Sequence, residues 1–239
     1  MKRDPAVLLL ALFFVFPGLA MATGVPAPAA AATGSAETRA IFERMVSKYG
    51  AGLRFGTDES LKLVFAAALD DESFAEMNQA LTAHQRALQA ALFTHGPTQH
   101  LAVVVPARWA NPKVTGHFYG DRVDAASIGR NLRHEFTHAL HWADQQSRRQ
   151  EHPVWLMEGL ASLFETVRFD QQLPAARLDH RLAGLLAQLE NKSTLSFSAM
   201  MALERRKFTS RHYAQAAYML RYLHAAGRRE RYYQVYVQG

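Results

Sequence analysis

The chain of 239 residues contains no cysteine. Disulfides, thiol-based catalysis, cysteine-ligated zinc and a lipid anchor attached through cysteine are therefore excluded, and the fold must be stabilised by its core and by any metal that it binds. The chain also lacks a cluster of basic residues of the kind that indicates nucleic-acid binding, although its formal net charge is +6. Long polar tracts are few, and a hydrophobic content of 49% is sufficient for a globular core.

The N-terminus has no apolar run as long as the roughly 20 residues that a membrane-spanning helix needs. Lys2 and Arg3 precede a shorter apolar stretch from Ala6 to Phe16, which is followed by a helix-breaking Pro-Gly pair and an Ala-Met-Ala sequence that ends at Ala22. This order is typical of a secretory signal peptide. We therefore expect a signal peptide over residues 1–22, no stable membrane span after cleavage near Ala22, and a periplasmic or secreted protein.

Residues 23–35 carry no charge and are mostly alanine, proline, glycine and threonine, a composition typical of a flexible tether. The remaining residues, 36–239, have the length of one domain. We therefore predict a signal peptide, a tether and a single globular domain.

Hydrophobic periodicity predicts short strands followed by a mainly helical region. The predicted helices span residues 37–49, 73–93, 127–146, 155–169, 174–190 and 211–226, with Ser127 as the N-cap of the third. The β-branched run at 101–106 is expected to be a buried strand, and residues 116–123 a strand at the edge of the sheet. Strands first and helices afterwards indicate an α+β fold with a small N-terminal sheet, and not alternating βαβ units.

One predicted helix contains the sequence His134-Glu135-Phe-Thr-His138. Positions i and i+4 differ by only about 40° around an α-helix, so both imidazoles can face one metal ion. Glu135 lies about 100° away around the helix axis, within reach of a water on that ion but outside its coordination positions. This is the arrangement that a metal site with a general base requires. The pattern is short, so its context must decide.

The next helix supplies a candidate third ligand, Glu158, within the apolar sequence Pro-Val-Trp-Leu-Met-Glu-Gly-Leu-Ala. An unpaired buried carboxylate costs several kcal/mol, and a metal cation removes that cost. Gly159 follows it directly and is expected to let the two metal-site helices approach each other closely. Glu165 is a rival ligand, but it lies on another face of this helix.

These residues resemble a known family. His134-Glu-x-x-His138, followed by Trp155-Leu-x-Glu158-Gly-x-Ala161, is similar to the gluzincin metallopeptidases, and in particular to the small peptidase-MA-like domains of bacterial envelope proteins. The resemblance covers roughly residues 101–223. It includes the 116–123 segment, similar to the edge strand on which gluzincins align an extended peptide, and a late helix that contains Tyr213.

The resemblance implies a zincin-like fold and one zinc ion held by His134, His138 and Glu158. It further implies that Glu135 acts as the general base that activates the bound water. Many gluzincins also use a tyrosine or histidine to stabilise the oxyanion, and Tyr213 is the first candidate here, with His212 second.

Several alternatives remain open. A metzincin site is excluded, because His141 and Asp144 stand where that motif requires glycine and its third histidine. His141 is expected to be a structural residue, or one that orients a metal ligand without touching the metal. The leading hypothesis is an active zinc endopeptidase or aminopeptidase acting on peptides or proteins, including cell-envelope peptides. The others are a catalytically silent domain that binds peptide or envelope components, and an amidase acting on peptidoglycan stems.

Overall fold

The computed structural model describes residues 34–109, 114–166 and 180–238. The predicted signal peptide, nearly all of the predicted tether and residues 167–179 of the predicted helical region lie outside the described residues. Ser35, at the end of the predicted tether, is the N-cap of the first helix, where its hydroxyl accepts a hydrogen bond from the backbone N–H of Thr38. Within the described residues, no helix is both long and apolar enough to cross a membrane.

The described chain is an α+β fold with a mixed five-stranded sheet and mostly helical content. The helices are α1 (Ala36–Tyr49), α2 (Asp71–Ala91), α3 (Arg130–Arg148), α4 (Val154–Phe164), α5 (His180–Glu190), α6 (Phe197–Met201), α7 (Ser210–Ala225) and α8 (Arg229–Gln238). The strands are β1 (Arg54–Asp58), β2 (Leu63–Ala67), β3 (Leu101–Val105), β4 (Gly116–Phe118) and β5 (Arg122–Ala125).

The strands are ordered β1-β2-β3-β5-β4, which places β4 at one edge of the sheet. β2, β3 and β5 run parallel to one another, whereas the outer pairs β1/β2 and β4/β5 are antiparallel. The central strands β2 and β3 are buried along their whole length, since α1 covers one face and the larger core with α2, α3 and α4 covers the other. Such double coverage explains their continuous apolar sequences.

The predicted α+β fold, without βαβ units in alternation, nevertheless contains one βαβ unit. β2 and β3 are parallel neighbours, and the chain between them forms α2. Neither β1 nor β2 was predicted. β1 is short and has no apolar run, because it contains Arg54, Gly56 and Asp58. The five apolar residues of β2 are too few for periodicity to distinguish a strand from a buried helical turn.

The predicted edge segment 116–123 is two strands of a hairpin, not one. Only β4 lies at the edge, and β5 lies inside the sheet against β3. The chain reverses through Gly120, whose φ of 94° is favoured for glycine. A Gly-Asp pair at 120–121 was the available turn signal.

Helix α3 begins at Arg130, three residues later than predicted, and its N-cap is Gly129, without a side-chain capping bond. Ser127 therefore does not cap the helix. Gly129 has a φ of 135°, so the loop ends in a conformation that favours glycine and the helix starts directly after it. Helices α6 and α8 were not predicted, while α1, α2 and α7 lie within two residues of their predicted bounds.

Candidate metal centre

Helices α3 and α4 bring the predicted metal ligands together. Both are held by the core: α3 buries Leu132, Phe136 and Leu140, and α4 is buried over almost all of its length. α4 packs against α3 on one side and against α7 on the other. The site is therefore built on rigid elements of the fold.

Three donor atoms converge at this point: Nε2 of His134, Nε2 of His138 and Oε2 of Glu158. The His138 nitrogen lies 3.1 Å from the His134 nitrogen and 3.1 Å from the Glu158 oxygen, and the third side of the triangle is 3.4 Å. Ligand atoms at about 2.0–2.1 Å from a tetrahedral zinc ion are separated by about 3.3 Å. The triangle thus has the dimensions of one face of such a coordination shell, and the group can hold a metal ion.

The charges of this group are strongly coupled. Burial alone would lower the pKa of the His134 imidazole, but hydrogen bonds to Glu158 and Glu165 outweigh burial and raise it to about 9. Burial would raise the pKa of Glu158, but hydrogen bonds from His134 and His138 hold it well below its usual range. The buried carboxylate is therefore ionised and requires a positive partner, which is either a proton on the imidazoles or a cation between them.

Glu165 holds the ring of His134 from the side opposite the donor triangle. Its Oε2 lies 2.9 Å from Nδ1 of His134, so the Nδ1–H donates to the carboxylate and Nε2 presents its lone pair to a metal. Arg181 binds both oxygens of Glu165, with distances of 3.1 Å from Nε and 3.0 Å from Nη2. The sequence interpretation that Glu165 lies on another face of the helix was wrong, because seven residues are about two helical turns. Glu165 reaches the same imidazole as Glu158, at its other nitrogen.

Glu135, the predicted general base, is half-buried against the edge strand. A Cβ added at Gly116 would lie 2.8 Å from Cγ of Glu135, so the glutamate side chain occupies space that any other residue at position 116 would need. The side chain of Glu135 is therefore positioned beside β4.

Tyr213, predicted to stabilise the oxyanion, lies close to the metal ligands. Its ring centroid is 6.2 Å from that of His134, and the guanidinium of Arg181 lies 5.5 Å from the tyrosine ring. Burial and the charge of Glu158 raise the pKa of Tyr213 to about 12. Its hydroxyl is therefore protonated at neutral pH and can donate a hydrogen bond.

His212, the second candidate for that role, is engaged elsewhere. Its Nδ1 accepts a hydrogen bond from the backbone N–H of Thr209 at 3.0 Å, at the start of α7. His212 is buried there, and burial lowers its pKa. This contact satisfies a backbone donor at the N-terminus of the helix.

Gly159 permits a close approach of helices, but not the approach that was predicted. A Cβ at this position would lie 2.7 Å from Cδ1 of Leu220 and 3.0 Å from the carbonyl oxygen of Ala216, both on α7. Glu158 faces α3, and the next residue is turned about 100° around the helix, toward the other neighbour. The glycine therefore brings α4 against the helix that carries Tyr213.

Arg205 also reaches the site, which its sequence context did not indicate. Its Nη2 lies 3.2 Å from Oε1 of Glu158, the oxygen that faces away from the two histidines, while the side chain is 66% exposed. Arg205 belongs to the basic stretch Arg205–Lys207. No local pattern relates it to Glu158, because the contact depends on how the loop after α6 returns to α4.

His141 and Asp144 belong to a separate buried network and not to the metal group. His141 makes a 2.7 Å hydrogen bond with His152, and its ring stacks on Phe93 at 5.2 Å. Asp144 accepts a hydrogen bond from the Tyr233 hydroxyl at 2.8 Å. His141 and Asp144, the two residues at the metzincin positions, therefore pack α3 against α8 and against the residues that follow α2.

No protein-family model matches the chain, and no curated protein matches it. The functional interpretation therefore depends on the geometry of the site. That geometry combines a group that can hold a metal ion, a neighbouring carboxylate and a protonated phenol, close to the edge strand of the described sheet.

Proposed function

We propose that the chain is a zinc-dependent peptidase of the gluzincin type, with a zincin-like arrangement of α3 and α4. One observation carries the proposal: donor atoms of His134, His138 and Glu158 lie within 3.4 Å of one another. Two imidazoles and a carboxylate are a ligand set of catalytic zinc, and they leave one coordination position for water or substrate.

The protein residues around this group have the chemistry of peptide hydrolysis. A bound zinc ion supplies Lewis acidity, which polarises a carbonyl group and lowers the pKa of water. Glu135 accepts a proton from the attacking water and passes it to the leaving amine. Tyr213 donates a hydrogen bond to the oxyanion, since its hydroxyl stays protonated at neutral pH. Glu165 keeps His134 in the tautomer that binds metal.

The edge strand β4 supports a peptide as the substrate. Among the described residues, β4 pairs with β5 alone, so its other side presents unpaired backbone groups. An extended peptide can pair with such an edge. Because Glu135 packs against Gly116, a peptide paired with β4 would have its backbone next to the candidate base.

The signal peptide predicted at residues 1–22 adds a location to this proposal. It places the reaction in the periplasm or outside the cell, where the substrates are peptides or proteins, including cell-envelope peptides.

Metal analysis and peptide-library cleavage test the proposal, using wild type, Glu135→Gln, Glu158→Gln and the control Glu76→Gln on the exposed side of α2. We expect wild type and Glu76→Gln to contain zinc and to cleave peptides, Glu135→Gln to keep zinc without cleavage, and Glu158→Gln to lose both. Peptide binding without any hydrolysis, unaffected by Glu135→Gln, would instead identify a silent binding domain. Zinc-free wild type would contradict the proposal.

A further inference from the structure

A cavity of about 500 Å³ lies beyond the metal group, between the C-terminal half of α3 and the turn that joins β4 to β5. Its apolar wall includes Leu101, Ala139, Trp142 and Ala143, and its rim carries polar side chains such as Gln146. None of the metal ligands lines it. Trp142 is 43% exposed and forms part of the cavity wall.

Helix α3 connects this cavity directly to the candidate base. Glu135, Ala139, Trp142 and Gln146 follow one another at spacings of four, three and four residues, which is one stripe along an α-helix. The first is beside the metal group and the other three line the cavity. With a rise of about 1.5 Å per residue, the cavity extends from about 6 to 16 Å beyond Glu135.

Strand β4 gives a second measure of the same separation. Gly116 contacts the side chain of Glu135, Phe118 packs edge-to-face on Trp142 with centroids 5.8 Å apart, and Tyr119 lines the cavity. At about 3.3 Å per residue, Tyr119 lies about 10 Å along the strand from Gly116. The distances along α3 and along β4 are therefore consistent. Both correspond to a cavity that begins two to four residues of extended peptide from the proposed site of cleavage.

The cavity lining favours an apolar occupant. Its ionisable side chains are Asp121 and His100, and His100 already lies between two carboxylates, 3.0 Å from Glu37 and 2.9 Å from Glu59. An aromatic wall with apolar neighbours and a polar rim is the usual composition of a pocket for a bulky apolar group. The volume exceeds that of any single side chain, so an aromatic residue can enter.

We propose that this cavity is a specificity subsite that binds a bulky apolar side chain, above all an aromatic one, of a peptide substrate, two to four residues from the scissile bond. The inference rests on the proposed peptidase function and deepens it, because it names the class of substrate.

A peptide series tests this subsite, with phenylalanine placed at successive positions of an otherwise alanine-rich substrate. The variants are Trp142→Ala, Ser147→Trp, which fills the cavity from an exposed rim position, and the control Tyr222→Ala, which removes an aromatic ring that is 67% exposed on α7. We expect wild type to prefer phenylalanine at one position two to four residues from the cleaved bond by about tenfold or more in kcat/KM. Both cavity variants should lose this preference, whereas Tyr222→Ala should keep it and should cleave the all-alanine peptide as wild type does.

Equal cleavage of all peptides by wild type would overturn the subsite, as would a preference that survives in both cavity variants. If wild type cleaves no peptide, the proposed function fails. Binding of the same peptides to Glu135→Gln then tests the subsite independently of cleavage. Tighter binding of the phenylalanine peptide, lost when Trp142→Ala is added, supports it. Equal binding of all the peptides overturns it. Tighter binding of an N-acetylglucosamine oligomer than of the peptides, lost in Trp142→Ala, also overturns it.

Discussion

Nδ1 of His134 donates a hydrogen bond to Oε2 of Glu165 at 2.9 Å, on the side of the ring opposite the metal-facing Nε2. The carboxylate is buried and is held in turn by Arg181. This contact determines which nitrogen of His134 is available and how the ring is oriented. Such partners of metal-binding histidines affect metal affinity without touching the metal.

Glu165→Gln is therefore expected to weaken zinc binding by about 10- to 100-fold, since a neutral amide oxygen accepts the hydrogen bond from Nδ1–H more weakly than a carboxylate does. Competition with a chromophoric zinc chelator measures the affinity. Glu190→Gln, at the exposed end of α5, is the matched control and should bind zinc as wild type does. Unchanged affinity in Glu165→Gln would show that the contact does not orient a ligand.

Gly116→Ala should impair hydrolysis while leaving the metal bound. The added Cβ would lie 2.8 Å from Cγ of Glu135, so the glutamate has to move. A displacement of about 1 Å in a reacting group can reduce the rate by about 100-fold. Measurement of kcat together with zinc content checks this expectation. Gly184→Ala, where a Cβ meets no atom within 4 Å, is the control with normal activity.

Gly159→Ala should destabilise the fold. Its Cβ would meet Leu220 at 2.7 Å and the backbone of Ala216 at 3.0 Å, and overpacking of this kind costs about 1–3 kcal/mol. Gly184→Ala gains helix propensity without a clash and should stabilise by about 0.5–1 kcal/mol. Urea unfolding measures both. A Gly159→Ala variant as stable as wild type would mean that α4 and α7 are not in such close contact.

His84 makes stability depend on pH. It is fully buried and donates from Nε2 to Thr137 at 2.9 Å, because the Thr137 hydroxyl itself donates to the carbonyl of Arg133. Burial lowers the pKa of His84 to about 3, below the unfolded value of 6.5. The unfolded chain therefore takes up this proton first, so the free energy of unfolding is unaffected above pH 6.5 and falls as the pH drops from 6.5 toward 3.

The slope from His84 alone is about 1.4 kcal/mol per pH unit in that range. His84→Gln retains a donor for Thr137 and should reduce the slope of urea unfolding free energy between pH 6.5 and 4.5, a range between the unfolded and folded pKa of His84. The buried His141, whose pKa is also lowered, keeps part of the slope. His117→Gln, at an exposed position, should leave the wild-type slope. An identical slope in His84→Gln would contradict a neutral buried imidazole.

The local geometry of the site was predictable from the sequence, because it depends on helix periodicity. The spacing of His134 and His138 fixes their common direction, and the apolar surroundings of Glu158 indicate that it is buried. Arg205 and the cavity beside Trp142 were not predictable in this way. They depend on the return of loops and on the β4–β5 turn, for which one sequence contains no distance information.

The strands of the sheet likewise include one that the sequence predicts and one that it does not. The run at Leu101–Val105 ends in three consecutive β-branched valines, and it was predicted. β2 contains two alanines among its five residues, so neither propensity nor period separates it from a helix, and its parallel pairing with β3 is a purely tertiary feature. The contact of Gly159 with α7 instead of α3 was missed for a similar reason, since the sequence does not say which neighbour each face of α4 meets.

Anomalous diffraction at the zinc edge, from crystals of the mature chain purified without chelators, tests the central claim most directly. We predict one zinc ion per chain, about 2.0–2.2 Å from Nε2 of His134, Nε2 of His138 and a carboxylate oxygen of Glu158. A zinc peak that does not contact Glu158, or no peak in crystals grown with zinc, would contradict the account.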